Sequence, residues 1–243
     1  FLTHPELMPP FVCLVVTGGH SHLVIVNDYG NYTLLGQTAD DAAGEAFDKG
    51  ARVLGLPYPG GPHLSELAEG GDPKYLPLPR PKAEGKYDFS FSGLKTAFIN
   101  ACHTLEQKGQ LLIQREGEAR LAPEIAEGNE ARSLAQAKRG ARPIADLAAS
   151  YQQAIVDCLC DKTMLAAKDS GLKTLCIAGG VSANKLLRRQ MAAQAEERGF
   201  TLCMPEISLC TDNAAMIASA AYYRRERTAP PDLNAVPSLK LQS

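Results

Sequence analysis

Two stretches of the chain combine residue types that phosphate chemistry uses. Leu175 to Asn184 (LCIAGGVSAN) is a short apolar run that stops at Gly-Gly before small and polar residues open a helix, and Phe11 to Val16 (FVCLVV) runs in the same way into Thr17, Gly18, Gly19 and His20. A buried strand that ends on two glycines lets a ligand approach the backbone, and a following helix N-terminus offers free N–H groups to an anion. Each pair alone also suits a plain tight turn. Two of them in one chain suggest two loops gripping one phosphorylated ligand from different sides. Between them lie four carboxylates, Asp40, Asp41, Glu45 and Asp48, within nine residues. That exceeds what a helix dipole requires, so one or two could face a cleft and hold ribose hydroxyls or a substrate amine, while the others stay solvated or cap the helix.

Other candidates are weaker. Gly60 and Gly61 in LPYPGG offer a third place where backbone could meet ligand. In Arg80 to Thr96, basic residues (Arg80, Lys82, Lys86, Lys95) alternate with Tyr87, Phe89 and Phe91. Such a stretch can hold phosphates and stack a base, or it can be a loop whose Phe residues plug the core. His20 and His22 would share one strand face, but no third donor is near them in sequence, so a polar loop contact and an exposed strand residue outweigh a metal pair. Asp212 and Asn213 read as helix N-caps. No Ser-His or Cys-His pairing suggests a covalent nucleophile.

These residues need elements to place them. Residues 11–16, 21–27 and 32–36 are β-rich runs separated by turn chemistry and predict an antiparallel three-stranded meander. Helical spacing follows over Thr38 to Leu54, then over His63 to Glu69, Ile144 to Lys168, Asn184 to Arg198 and Thr211 to Tyr223, with a short strand at Thr201 to Met204. Residues 103–142 carry many charges and few large apolar residues, which predicts a mobile, partly helical insertion. Beyond Arg227 the chain is Pro-rich and irregular.

The whole chain has 243 residues, 45% hydrophobic and 21% charged, with a formal net charge of −2. Such a chain can bury a core, has no apolar run long enough to span a bilayer, and exerts no global pull on nucleic acid. Its seven cysteines are an odd number without a CxxC pair or a secretory signal, which predicts reduced, buried thiols in a cytoplasmic protein. The first residue is Phe, and FLTHPELMPP reads as the tail of an element followed by a linker, so the chain is expected to lack its natural beginning.

Taken together, VVTGGHSHLV (15–24), DDAAGEAFDK (40–49), YPGGP (58–62), DFSFSGLKT (88–96), IAGGVSAN (177–184) and CTDNAAMIA (210–218) resemble, in order, the tRNA threonylcarbamoyladenosine synthesis transferase family, TsaD-like and once called glycoproteases. The resemblance implies an α/β chain of the actin-like ATPase/sugar-kinase (ASKHA) fold, mostly its second lobe with a helical insertion. Residues 1–10 would be a remnant of the first lobe, 11–210 the second lobe with 103–142 as the insertion, and 211–243 a helix returning toward the first lobe and then a tail. The implied activity is an acyl transfer: threonylcarbamoyl passes from threonylcarbamoyl-AMP to N6 of adenosine 37 in tRNAs reading codons that start with A. By likeness, Val15, Val16, Thr17, Gly18, Gly19, Asp48, Gly61 and Asn184 would hold the adenylate, with Asp48 on the ribose. Asp212 would bind one divalent metal, iron or zinc, and Glu45 is a candidate proton acceptor. TsaB-like and TsaE-like subunits would be partners.

One departure stands out. The family's HxxxH pair, which supplies two metal ligands, is not in this sequence, so Asp212 alone remains of the expected ligands and the chain by itself is expected to be inactive. The alternatives are an ATP-dependent kinase or ATPase of the same fold, and a non-catalytic fragment that binds sister subunits. A peptidase ranks lowest, because HxxxH lacks the Glu that follows the first His in HExxH.

Overall fold

A computed structural model describes residues 1–111, 113, 130–226 and 234, with the backbone alone for 130–142. They form two compact units. The first comprises 1–44, 82–90 and 159–243, and the second 45–81 and 91–158.

The first unit is built on strand β1 (Phe11–Val16), whose six residues are apolar and nearly all buried. A continuous apolar run of this kind suits a strand covered on both faces. Antiparallel to β1 lies β2 (Ser21–Asp28), followed by β3 (Asn31–Gln37), as the meander predicted. On its other side β1 pairs in parallel with β4 (Thr174–Ala178), and β4 with β5 (Thr201–Cys203), giving the order β3-β2-β1-β4-β5. One face carries the fully buried Val12, Leu14, Val16, Leu23, Leu175 and Ile177. The other carries Phe11, Cys13, Val24, Val26 and Cys203, packed with Leu7. Helix α5 (Lys185–Glu197) buries Leu187, Met191 and Ala195, spaced so that they lie along one side.

The second unit is helical. Helix α1 (Ala43–Val53) continues into it, and it holds α2 (Gly60–Ala68), α3 (Ser92–Gln107) and the greater part of α4 (Glu130–Ser170). Its centre is Tyr151, fully buried, with its ring stacked 4.3 Å from that of Phe98 and its hydroxyl donating to the Ala46 carbonyl at 3.0 Å. Gly50 leaves the space this ring fills, since a Cβ there would collide with it. Ser150 Oγ donates to Asp146 O and accepts from Leu76 N, while the Asp146 carboxylate accepts from Asp72 N at 2.7 Å. The Gly- and Pro-rich loop after α2 is thereby fastened to α4.

The segment 103–142 is partly helical, as expected: residues 103–107 end α3 and 130–142 begin α4, while 112 and 114–129 lie outside the described residues. Other expectations need correction. Helix α2 starts before His63, because the Asp48 carboxylate accepts from Gly60 N (2.8 Å) and Gly61 N (3.2 Å) and so serves as its cap from another helix. Phe89 and Phe91 are fully buried core plugs, so they do not stack a base. Arg80 is tied to Asp157 by Nε and Nη2 (2.9 and 2.6 Å), and Lys86 and the Tyr87 hydroxyl both bond Asp169. These bonds hold the Asp169 carboxyl below its usual range and raise Lys86 and Tyr87.

Removing the Tyr151 hydroxyl takes away the bond that the Ala46 carbonyl accepts in addition to its place in the α1 ladder, so Tyr151→Phe should lower stability by about 0.5–1.5 kcal/mol. Gly50→Ala forces a methyl against the same ring and should cost about 1–3 kcal/mol. Urea unfolding measures both, and unchanged midpoints would contradict the packing described.

Candidate functional site

The β1–β4 register decides where the two Gly-Gly turns fall. Val12 pairs with Leu175, Leu14 with Ile177 and Val15 with Ala178, so the strands run out side by side at their carboxyl ends. Ligands of open α/β sheets bind beyond that edge. Thr17, Gly18, Gly179 and Gly180 accordingly line one cavity of about 660 Å³, together with Val15, Cys176, Cys210, Asp212 and apolar residues of the first unit.

Local bonds shape the first turn. Thr17 N donates to His20 O at 2.8 Å, and the Thr17 hydroxyl accepts from Gly19 N (3.3 Å) and His20 N (3.0 Å). The start of α1 braces it: Gly44 N donates to Thr17 O at 3.2 Å, and a Cβ on Gly44 would lie 2.6 Å from that oxygen. The buried Ser21 hydroxyl accepts from Ala43 N at 2.8 Å and so caps the same helix start. The DDAAGEAF stretch therefore needs its glycine to let the helix approach the turn.

The second turn is equally constrained. Gly179 has φ 90°, a conformation that side chains rarely adopt, and its missing Cβ leaves room for Val16 O and Thr17 Cγ2. A 3-10 turn follows over Gly180–Ala183, closed by Ser182 N to Gly179 O at 2.9 Å. Asn184 then caps α5, its side chain accepting from Leu187 N at 2.9 Å. Arg188 ties the turn to the β5 loop by donating to Ser182 O and Pro205 O. At Gly18, Gly19 and Gly180, by contrast, an added Cβ would meet nothing within 4 Å. The backbone there faces open space.

The other sequence candidates divide between the units. Val16 is fully buried beneath the first turn, whereas Val15 reaches the cavity. Asp212 also lines the cavity: it is exposed and makes no hydrogen bond or ion pair among the described residues, because Asn213 is the cap of α6 (Ala214–Tyr223), accepting from Met216 N. Glu45, Asp48 and Gly61 belong to the second unit. Glu45 pairs with Lys49 at 2.7 Å and Asp48 holds Gly60 and Gly61. Asp40 accepts from the Ser90 hydroxyl at 2.6 Å.

The rings of His20 and His22 lie 5.2 Å apart, and burial followed by the His20 charge lowers the His22 pKa. Among the described residues, no group of three His, Cys, Asp or Glu side chains could hold a metal ion. Asp212 is a single carboxylate and would be at most one ligand of a metal ion. No helix among them is long and apolar enough to cross a membrane.

The model of a family described as tRNA N6-adenosine threonylcarbamoyltransferase (TsaD) matches residues 1–219. Curated relatives bearing that name come from Moorella thermoacetica (46% identical), Symbiobacterium thermophilum (47%) and Caldicellulosiruptor saccharolyticus (42%). The matches cover 99%, 99% and 100% of this chain but 63%, 62% and 64% of those proteins, so the chain spans under two thirds of their length. A solved structure of full-length HypF, in its phosphate- and nucleotide-bound form, superimposes with a TM-score of 0.59 at 11% identity, covering 91% of this chain and 40% of that one. The likeness supports the actin-like fold expected from the sequence.

Gly179→Ala tests the close approach of the turns. A side chain at this φ collides with Val16 O, so stability should fall by about 1–3 kcal/mol in urea unfolding. An unchanged midpoint would show slack between the strand ends.

Proposed function

The chain belongs to the tRNA N6-adenosine threonylcarbamoyltransferase family, and on that premise we propose that it is the nucleotide-gripping part of an enzyme that moves threonylcarbamoyl from threonylcarbamoyl-AMP to N6 of adenosine 37 in tRNA. The observation that carries this reading is the cavity onto which the Thr17–Gly19 and Gly179–Gly180 turns both open. The setting proposed with it is cytoplasmic, with TsaB-like and TsaE-like subunits as partners.

The donor is a mixed anhydride with AMP as an activated leaving group. The amine nitrogen bonds to the carbonyl carbon, the carbon–oxygen bond to AMP breaks, and the amine loses a proton. No enzyme nucleophile is needed, so the protein's task is alignment and stabilisation of charge on phosphate and carbonyl oxygens. Backbone amides at Gly18 and Gly180 suit the phosphate, since glycine lets it come close. Thr17 is committed to shaping its own turn, and Val15 gives the cavity an apolar wall. Asn184 acts by fixing the start of α5. Asp48 acts by holding Gly61 in place, and its second oxygen is the candidate for a ribose hydroxyl. Asp212 is proposed as one oxygen ligand of a divalent metal, iron or zinc, which would supply a Lewis acid if it were bound there. Glu45 remains the candidate proton acceptor.

The test is t6A formation by the full-length enzyme with defined tRNA and threonylcarbamoyl-AMP. Gly18→Ala and Gly180→Ala place a methyl where the protein itself has room, so folding should be unaffected. A KM for the donor raised roughly tenfold, about 1.4 kcal/mol, with unfolding midpoints unchanged would support the reading. Normal kinetics in both variants would sink it. Glu45→Gln at saturating tRNA separately tests proton acceptance: the rate should fall about 10²-fold or more, and an unchanged rate removes Glu45 from the chemistry.

A further inference from the structure

Three cysteines form a row across the middle of the sheet. Cys13 is paired with Cys176 in the β1–β4 register, and Cys176 with Cys203 in the β4–β5 register. Directly paired residues on neighbouring strands point to the same face. Strands lie about 4.8 Å apart, within the Cα separation of about 4.4–6.8 Å that a disulfide can bridge. All three are free thiols. Cys13 and Cys203 are buried among Leu7, Phe11, Val24 and Val26, whereas Cys176 is only partly buried and lines the cavity beneath the glycine turns.

The two thiols nearest the cavity are unequal. Cys13 and Cys176 are hydrogen-bonded to each other, which pushes Cys13 well above the ordinary thiol range and holds Cys176 below it. Cys176 Sγ also donates to Ile177 O at 3.6 Å, and it is the thiol of the pair whose pKa is lowered. The Cys203 thiol is raised by burial. Nucleophilicity toward oxidants follows thiolate character and access; of the three, Cys176 is the one that lines the cavity and the one whose pKa is lowered. The acyl transfer proposed above uses none of these sulfurs.

We propose that Cys176 is a peroxide-sensitive modification site in the floor of the cavity, and that Cys13 resolves it by forming a disulfide between β1 and β4. The Cys176 thiolate attacks one oxygen of hydrogen peroxide, the O–O bond breaks, and the sulfur, oxidised by two electrons, becomes a sulfenic acid as hydroxide leaves. The Cys13 sulfur then attacks the sulfenic sulfur. The S–O bond breaks, water departs with the Cys13 proton, and the S–S bond remains. The bridge joins the two strands whose ends carry the Thr17–Gly19 and Gly179–Gly180 turns.

Peptide mapping of the full-length protein after hydrogen peroxide treatment and alkylation is the test. The expected product is a Cys13 peptide joined to a Cys176 peptide, absent after dithiothreitol, with loss of two of this chain's seven free thiols. In Cys13→Ser, Cys176 should stop at the sulfenic acid and be captured by dimedone. In Cys203→Ser the bridge should still form. Cys176 left unreacted in the native protein, carried on to a sulfinic acid, or joined to Cys203 or Cys210 would overturn the proposal. Should Cys13→Ser fail to fold, the native peptide map decides alone.

Discussion

The first unit depends on the parallel pairing of β1 with β4. In an antiparallel pair the carboxyl ends of two strands lie at opposite edges, and turns following them would be separated by a strand length. Parallel pairing in this register puts Val16 and Ala178 at the same edge, so Thr17 and Gly179 follow at once into shared space. A parallel connection must be long, and here the whole second unit lies within it. The approach is tight enough that Gly179 has no space for a Cβ beside Val16 O. Two glycines pack the strand ends against the helix and against each other, at 44 and 179, while those at 18 and 180 line the cavity with no protein atom in the way of a Cβ. The same residue type thus does two different jobs a few residues apart.

Charge is largely committed to structure. Of the acids that crowd the start of α1, Asp40 accepts from Ser90, Glu45 pairs with Lys49, and Asp48 supplies the cap that the α2 amides lack locally. A carboxylate accepting two backbone N–H groups is worth more as a cap than an exposed ion pair, so Asp48 has a structural duty whatever else its second oxygen touches. The contrast with Asp212 is instructive. Its neighbour Asn213 takes the capping role, which leaves the Asp212 carboxylate facing the cavity.

What the sequence disclosed followed from strength of pattern. FVCLVV and LCIAGG are continuous apolar runs ended by glycine, and their strands were readable because nothing else in the chain competes for that signal. The meander was equally plain, its turn residues sitting where β2 and β3 meet at Asp28 to Asn31. Helix α3 was not read, although Leu94, Phe98 and Cys102 recur every four residues and are its buried positions. Its start lacks any side-chain cap, and the surrounding basic and aromatic residues suggested a ligand loop instead. The start of α2 was hidden for the opposite reason: its cap comes from Asp48, twelve residues away, which local pattern cannot display. Parallel pairing of β1 with β4 is likewise a long-range fact, and the cavity exists only because of it.

A site of this construction has little need of titratable clusters. A phosphate is recognised by N–H groups that every residue owns, provided no side chain obstructs them. The protein's investment is therefore in the positions of main-chain atoms, secured by Ser21 and Gly44 beneath one turn and by Arg188 and Asn184 beneath the other. The bonds of these supporting residues fix where the turn amides point. Substitutions among them should disturb ligand grip and fold stability together, whereas a methyl at Gly18 or Gly180 meets no protein atom and would be felt by the ligand alone. That separation of effects distinguishes a backbone-built grip from a turn that merely ends a strand.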